Sequence, residues 1–162
     1  MTTYRYALAA SAISVAALAA AVPAAAQTAQ PCAPVTSTQV EAQFSQFNDA
    51  WATRDPDRVT QLFARDAVLL ATISNTPRTD HAGIRDYFVS FLRGAPVGTI
   101  NTSTVHVGCN IATRVGTWTV NIANAEGQRS DVRARYSFIY RYENGRWVIA
   151  HLHSSMMPER AS

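Results

Sequence analysis

Two aromatic-rich segments near the C-terminus, joined by Asn144 and Gly145, constrain the fold of this chain more than any other feature. Asn-Gly between alternating apolar residues is the strongest short-range signal for a β-hairpin, because both residues tolerate the positive φ angles of a tight turn. A turn at this point predicts strands over 132–142 and 146–154. The predicted cross-strand pairs are Glu143–Arg146, Tyr142–Trp147, Tyr140–Ile149, Phe138–His151 and Tyr136–His153.

This register divides the hairpin into two faces, because side chains alternate along a strand. The first face carries an aromatic stripe that ends in two histidines: Tyr136, Phe138, Tyr140, Tyr142, Trp147, Ile149, His151 and His153. The second face carries Arg135, Ser137, Ile139, Val148, Ala150, Leu152 and Ser154. A wall that is half apolar and half polar can line a ligand pocket, and we expect the first face to line one. The simplest alternative is that the aromatic stripe is a packed core, because sheets are enriched in Tyr, Phe and Trp wherever a face is covered.

The N-terminus has the pattern of a secretory signal peptide over residues 1–26. Arg5 supplies the positive start, residues 7–22 form an alanine-rich apolar run, and small residues 24–26 precede Gln27. The run is too short for a stable membrane span. We therefore expect a periplasmic or secreted protein of 136 residues (162 minus 26), not held at a membrane after cleavage. Residues 27–35 form a short lead, and residues 36–160 form one domain.

The basic residues exclude several classes of function. All fourteen are arginine, and without Arg5 thirteen arginines oppose eleven carboxylates, a net charge of +2. The arginines are scattered, which argues against nucleic-acid binding. A chain without lysine has no Schiff-base chemistry and no phosphate-binding lysine. No cofactor is expected.

The remaining pattern places helices before strands. An apolar stripe from Thr36 to Trp51 predicts a first helix, Asp55 and Pro56 predict the start of a second, and Asp80 predicts the cap of a third. Residues 66–73 are predicted to form a strand between the second and third helices. Further strands are predicted over 100–111 and 113–123. This order indicates an α+β fold, with three helices packed on one face of a curved antiparallel sheet.

The element order resembles the nuclear-transport-factor-2-like superfamily, a cone-shaped half barrel around a pocket. The C-terminal segment 144–158, Asn-Gly-Arg-Trp-Val-Ile-Ala-His-Leu-His-Ser-Ser-Met-Met-Pro, resembles the association domain of calcium/calmodulin-dependent protein kinase II, with its Gly-Lys-Trp and His-x-His-x-Ser-x-x-Pro pattern. Segments 66–78 and 83–88 resemble the bacterial secreted branch, the SgcJ/EcaC type. The resemblance covers roughly residues 36–159.

The resemblance implies self-association through the sheet around a pocket, and no kinase activity, because a kinase needs a lysine for ATP and a much longer catalytic domain. It implies a homodimer or larger assembly and a small polar or anionic ligand. The kinase domain has an arginine after its second histidine and further arginines in its pocket. This chain has Ser154 at that position and Phe138 on the preceding strand. Arg135 or Arg78 is then the candidate for carboxylate binding.

His151 and His153 have three readings. They lie about 6.5–7 Å apart along a strand, which suits a metal, but neither His81 nor His106 is placed as a third ligand. No metal is therefore expected. They are candidate catalytic residues of a SnoaL-like or ketosteroid-isomerase-like isomerase, cyclase or hydrolase. They are otherwise hydrogen-bonded structural residues of the sheet.

Catalysis is the less favoured alternative, because enzymes of that kind place an Asp or Glu on the concave sheet. The two C-terminal strands contain Asp131 and Glu143, both at strand ends. We expect binding rather than catalysis.

Arg135 has two possible placements. It shares a face with Arg133 and Arg141 opposite the aromatic stripe, and so lies on the outer face if that stripe is concave. If it points inward at a bulge, it is the anion clamp. Arg78 follows Pro77 in a loop and is a candidate for the mouth of the pocket, whereas the commoner alternative for such a residue is an ordinary solvated arginine.

Cys32 and Cys109 are the only cysteines of the chain. An even count in an exported protein predicts a disulfide, because exported chains fold in an oxidising compartment. This bond would connect the N-terminal lead to a strand.

Overall fold

The computed structural model describes residues 31–158. The elements are, in chain order, α1 (Ser37–Ala52), α2 (Pro56–Thr60), β1 (Phe63–Leu70), α3 (His81–Phe91), β2 (Val97–Gly108), β3 (Ile111–Ala123), β4 (Arg129–Glu143) and β5 (Arg146–Met156). A short 3-10 turn, Leu92–Gly94, follows α3. This order confirms the predicted α+β class. The predicted signal peptide, residues 1–26, and residues 27–30 of the lead lie outside the described part of the chain.

Each helix begins at the residue that the sequence indicates. Thr36 and Gln39 form a reciprocal capping box at α1. Asp55 caps α2, which has Pro56 at its first position. Asp80 accepts a hydrogen bond from a backbone N–H of the first turn of α3. Caps of this kind stabilise a helix by about 1 kcal/mol each.

The strands form one curved, open sheet of five strands in the order β1-β5-β4-β3-β2. β1 runs parallel to β5, and the other neighbours are antiparallel. β1 begins at Phe63, whereas the sequence analysis predicted that this strand begins at residue 66. Phe63 lies beside Ile149, and the Ile149 N–H donates to the Leu62 carbonyl at 2.8 Å, so the chain joins the sheet directly after α2.

The hairpin register differs from the prediction at one residue. Glu143–Arg146, Tyr142–Trp147 and Tyr140–Ile149 pair as expected, but Ile139 then pairs with His151, which leaves Ala150 as an extra residue on β5. A β-bulge of this kind reverses the face of every later side chain. The predicted pairs Phe138–His151 and Tyr136–His153 are therefore wrong. Phe138 lies opposite Leu152, and Tyr136 lies opposite Ser154.

The core lies between the concave face of the sheet and the helices α1 and α3. Phe47 and Phe138 have no exposed surface, and their ring centroids lie 5.6 Å apart in an edge-to-face arrangement. Seven rings form the centre of this cluster, namely Phe44, Phe47, Trp51, Phe63, Phe88, Trp118 and Phe138. Burial of each such side chain contributes roughly 1.5–3 kcal/mol.

Cys32 and Cys109 form a disulfide, as predicted. The bond fastens the N-terminal lead to the turn between β2 and β3, where the Ala33 N–H also donates to the Asn110 side chain at 2.7 Å. None of the helices within residues 31–158 is long and apolar enough to span a membrane.

Candidate functional site

The three aromatic residues predicted as pocket wall on β4 lie in the core. Tyr136, Phe138 and Tyr140 are 2%, 0% and 1% exposed. The Tyr136 hydroxyl donates to the backbone carbonyl of Thr102 at 3.0 Å, and burial raises the pKa of Tyr140. These three side chains are therefore part of the core under the concave face of the sheet. Trp147 packs on Tyr142 at the other end of the hairpin, beside the start of α1.

His151 and His153 lie on the outer face of the sheet. The bulge at Ala150 places them opposite Ile139 and Ser137, on the side away from the core. Burial and the neighbouring imidazole of His153 lower the pKa of His151. Neither histidine lines the cleft described below. The predicted pocket wall of aromatic side chains and histidines on one face is therefore not formed, because the bulge separates the two sets.

The two candidate arginines lie in different places. Arg135 pairs with Thr117 and Ser155, is exposed, and donates to the Ser155 hydroxyl at 3.3 Å on the outer face. Of its two possible placements, the outer face of the sheet is therefore the one observed. Arg78 lies at the mouth of a cleft, and its backbone pairs with Leu69 at the end of β1.

The cleft lies between α3 and the concave face of the sheet, and its inner part is apolar. We call this part the inner cavity. Its volume is about 40 Å³, which is room for roughly three water molecules at about 10–15 Å³ each. The lining residues are Phe47, Trp51, Leu69, Ala71, Thr72, Ile73, Tyr87, Phe88, Phe91, Trp118, Val120, Ile122, Val132, Leu152 and Ser154.

A small polar cluster interrupts this lining. The Trp118 indole N–H donates to the Ser154 hydroxyl at 3.0 Å, and the Thr72 hydroxyl bonds to the same oxygen. Ser154 is 5% exposed. Trp118 lies on β3 opposite Ala134 of β4, and its indole reaches across β4 to Ser154 on β5. The bulge at Ala150 is what turns Ser154 inward.

The outer part of the cleft, which we call the vestibule, is wider and more polar. Its volume is about 660 Å³, and it shares Ile73, Tyr87, Phe91 and Ile122 with the inner cavity. The charged side chains in its lining are Arg78, Asp86 and Arg93.

Arg78 is the least exposed of the three charged residues in the vestibule. One of its terminal nitrogens lies 3.4 Å from an Asp86 carboxylate oxygen, and the Asp86 side chain is 74% exposed. The Arg78 Nε–H is buried and has no acceptor among residues 31–158. Burial raises the pKa of Tyr87, and the positive charge of Arg78, which lines the same vestibule, opposes this rise.

Comparison with known proteins assigns the family. The family model of the calcium/calmodulin dependent protein kinase II association domain matches residues 36–158. A structure from Xanthomonas campestris, determined as a candidate member of that family, is 37% identical with a TM-score of 0.75, covering 83% of this chain and 100% of its own. The chain belongs to the calcium/calmodulin-dependent protein kinase II association domain family.

More distant structures show the same fold as this association domain. The association domain of the Caenorhabditis elegans kinase is 18% identical, with a TM-score of 0.59 over 74% of this chain and 94% of its own. A nuclear transport factor 2-like protein from Salmonella enterica is 16% identical, with a TM-score of 0.67 over 76% of this chain and 92% of its own. No curated protein is significantly similar in sequence.

Among residues 31–158, the lining of the association domain's cleft contains few acidic groups and no histidine. Within residues 31–158, the only carboxylate in the lining of the cleft is Asp86, at the mouth and against Arg78. The same part of the chain brings no three His, Cys, Asp or Glu side chains together in a way that would hold a metal ion.

Sequence reasoning missed Thr72, Tyr87 and Trp118 as residues of the cleft, and it assigned Ser154 to the wrong face. Ser154 carried one usable signal, since it occupies the position after His153 where the kinase domain has arginine. Thr72 and Trp118 carried no usable signal in the sequence, because strand pairing alone brings them to Ser154.

Proposed function

We propose that this association domain binds a small, mainly apolar molecule in the cleft between α3 and the concave face of the sheet. The observation that carries the proposal is the inner cavity, an apolar space with one hydroxyl cluster at Ser154. Ligand sites of proteins are typically apolar with a few fixed polar groups. Each CH₂ group of a ligand that leaves water for such a cavity gains about 0.8 kcal/mol.

The proposal favours binding over catalysis. A SnoaL-like enzyme that used His151 and His153 would need both imidazoles in the cleft, whereas both lie on the outer face of the sheet. Asp86 is largely exposed and paired with Arg78, so it is poorly suited to be a general base.

A cavity-filling variant tests the proposal. Ala71 lines the inner cavity and is 9% exposed, so Ala71→Leu places three further carbon atoms in or beside the cavity. We expect native mass spectrometry of the wild type, purified from its own host, to show a retained small molecule that Ala71→Leu lacks. Ala82→Leu, at an exposed site on α3, is the matched control and keeps the molecule. A wild type that retains no molecule, and that takes up none from host extracts, would overturn the proposal.

We further propose that the protein forms a dimer or larger assembly through the outer face of β3 to β5. The relative from Caenorhabditis elegans is an association domain by name. The outer face is more polar than predicted, since Leu152 turns inward and Val148 is buried, but it retains Val115, which is 38% exposed, near Arg135.

Light scattering tests the assembly. We expect a mass above that of one chain for the wild type, and a lower mass for Val115→Arg. Val97→Arg, at a 51% exposed site on β2, is the matched control. A wild type of single-chain mass at every concentration would contradict this proposal.

Export to the periplasm or the exterior is also proposed, on the pattern of residues 1–26 and on the disulfide, which is typical of oxidising compartments. N-terminal sequencing of the protein from its own host is expected to begin at Gln27, and an intact N-terminus on a cytoplasmic protein would contradict it.

A further inference from the structure

We infer that a second site, the groove between α1 and the β4–β5 hairpin, binds a neutral sugar. We call it the hairpin groove. It shares no lining residue with the inner cavity or the vestibule among residues 31–158. Its volume is about 350 Å³, within the range of about 300–1,000 Å³ of small-molecule sites. The inference goes beyond the proposed function and does not depend on it.

One side of the hairpin groove consists of two aromatic rings. Tyr142 and Trp147 pair across the hairpin, with ring centroids 5.5 Å apart and ring planes at 56°. Both are half-buried, so each keeps surface open to solvent. The negative face of an aromatic ring attracts groups of positive partial charge. The C–H bonds on the face of a sugar ring are such groups, so this side of the groove suits a stacked sugar ring.

The opposite side consists of glutamines from α1. Gln39, Gln43 and Gln46 are four and three residues apart, so they lie along one flank of the helix. Among residues 31–158, only Gln39 of the three has its side chain hydrogen-bonded within the protein, to Thr36. The amides of Gln43 and Gln46 are therefore open to a ligand. Each amide has an acceptor oxygen and a donor NH₂ group, so it bonds two neighbouring hydroxyl groups of a sugar at once.

The absence of charge decides the class of ligand. Within the described part of the chain, no charged residue lines the hairpin groove. The charged residues beside the turn are engaged elsewhere, since Glu143 accepts from the Arg141 Nε–H at 2.9 Å and Arg146 donates to the Gln61 carbonyl at 2.9 Å. A charged ligand would lose water and gain no counter-ion. A hydrocarbon would leave the amides unpaired. A neutral sugar has apolar ring faces and a rim of hydroxyl groups, and so matches both sides.

A proline-rich peptide is the competing occupant, because such segments also bind grooves lined by aromatic residues. The amides argue against it. Proline has no backbone N–H, so a proline-rich segment presents mainly carbonyl acceptors. The amide oxygens of Gln43 and Gln46 would lose their water and receive no donor in return, whereas sugar hydroxyls both donate and accept.

The three tryptophans of the chain report where a sugar binds. Each indole N–H gives its own proton–nitrogen NMR signal. Trp147 lies in the hairpin groove, whereas Trp51 and Trp118 line the inner cavity. The disulfide-intact chain from Gln27 onward is titrated with maltotriose, cellotriose and chitotriose, and Trp147→Phe identifies the Trp147 signal. We expect at least one trisaccharide to shift that signal, with a dissociation constant below about 10 mM, and to leave the other two signals unchanged.

Variants assign the binding to the two sides of the groove. Gln43→Met together with Gln46→Met removes both amides and keeps side chains of similar length, and should weaken the sugar at least about tenfold. Gln61→Met, at an exposed glutamine outside the groove, is the matched control and should leave the affinity unchanged. Trp147→Leu removes the ring and should cause a similar loss, followed by the backbone signals of α1. Trp147 also packs on the core, so the glutamine pair is the test that does not depend on folding.

A charged derivative tests the neutrality of the ligand. The trisaccharide that binds, with its primary hydroxyl groups oxidised to carboxylates, should bind at least about fivefold more weakly. Equal binding of the two forms would overturn the assignment of a neutral ligand.

The remaining outcomes separate this inference from the proposed function. No shift with any of the three trisaccharides overturns it, as does an affinity that survives the double methionine variant. A shift of the Trp147 signal with decaproline alone overturns it in favour of a peptide. A shift of Trp51 or Trp118 in place of Trp147 would move the sugar to the cleft, which overturns the hairpin groove and leaves the cleft a binding site. Retention of an apolar molecule in native mass spectrometry does not depend on any of these results.

Discussion

Truncation of Leu152 and of His153 to alanine, one at a time, tests the bulge at Ala150 that decides which side chains face the cleft. Leu152 is 3% exposed and lines the inner cavity, whereas His153 is exposed on the outer face. Loss of three carbons from a buried leucine removes roughly 2.4 kcal/mol at about 0.8 kcal/mol per carbon. A cavity already lies beside Leu152, so the additional cost of a void is small, and we expect about 2–3 kcal/mol, near the lower end for Leu→Ala.

His153→Ala is expected to change the free energy of unfolding by no more than about 0.5 kcal/mol, as for other exposed sites. The assay is urea unfolding of the disulfide-intact chain, followed by tryptophan fluorescence at several protein concentrations. Any contribution of His153 to an assembly on the outer face would depend on concentration, whereas the effect of Leu152→Ala would not. A larger loss for His153→Ala than for Leu152→Ala at every concentration would show that the hairpin is regular and that the histidine is inside.

Three further predictions concern stability. Replacing both cysteines of the Cys32–Cys109 bond by alanine should lower the free energy of unfolding by about 4 kcal/mol, since the bond closes a loop across a sequence separation of 77; an unchanged urea midpoint would contradict this. Gly116→Ala should cost more than about 2 kcal/mol, because the new Cβ would lie 2.0 Å from the backbone oxygen of Thr102; a cost below about 1 kcal/mol, the ordinary cost of a point substitution, would refute it. The lowered pKa of His151 means that the unfolded chain binds the proton more tightly. Stability should therefore be complete above about pH 7 and fall as the pH drops through about 6.5, and His151→Gln should flatten this dependence in urea unfolding; an equal fall in the variant would rule it out.

Local signals in the sequence predict the helix starts and the hairpin turn, because each depends on residues within a few positions. The Thr36 and Asp80 caps act on the next turn of backbone, and Asn144 and Gly145 have φ angles of 51° and 81°. These features need no tertiary information. They account for the confirmed α+β order and for the first hairpin pairs.

The bulge was not predicted, because one extra residue in a strand has no signature in the residue types of that strand. The sequence holds one indirect signal, the adjacent apolar residues Val148 and Ile149, which are both buried and so break the strict alternation of a half-exposed strand. Burial also favours Leu152 over His153 on the concave face. If the side chains after residue 149 are assigned to the two faces by their burial, the observed faces result. Alternation counted from the turn gives the wrong faces.

The candidate site was only partly predictable for the same reason. Arg78 was a candidate for the mouth because it follows Pro77 in a loop, and the same pattern fits an ordinary solvated arginine as well. Thr72, Trp118 and Ser154 lie on three different strands or strand ends, and only the pairing of β1 with β5 and of β5 with β4 and β3 brings them together. No local pattern encodes that meeting.

The most direct test of the cleft as a binding site is the position of a heavy atom on a bound probe. Crystals of the chain from Gln27 onward are soaked with octanoate that carries bromine in place of its terminal methyl group, and the bromine is located by its anomalous scattering. We predict a single strong peak in the inner cavity, in contact with Leu152 and Phe88. Bromine on the outer face beside His151 and His153, or an empty cavity at saturating probe, would contradict the account.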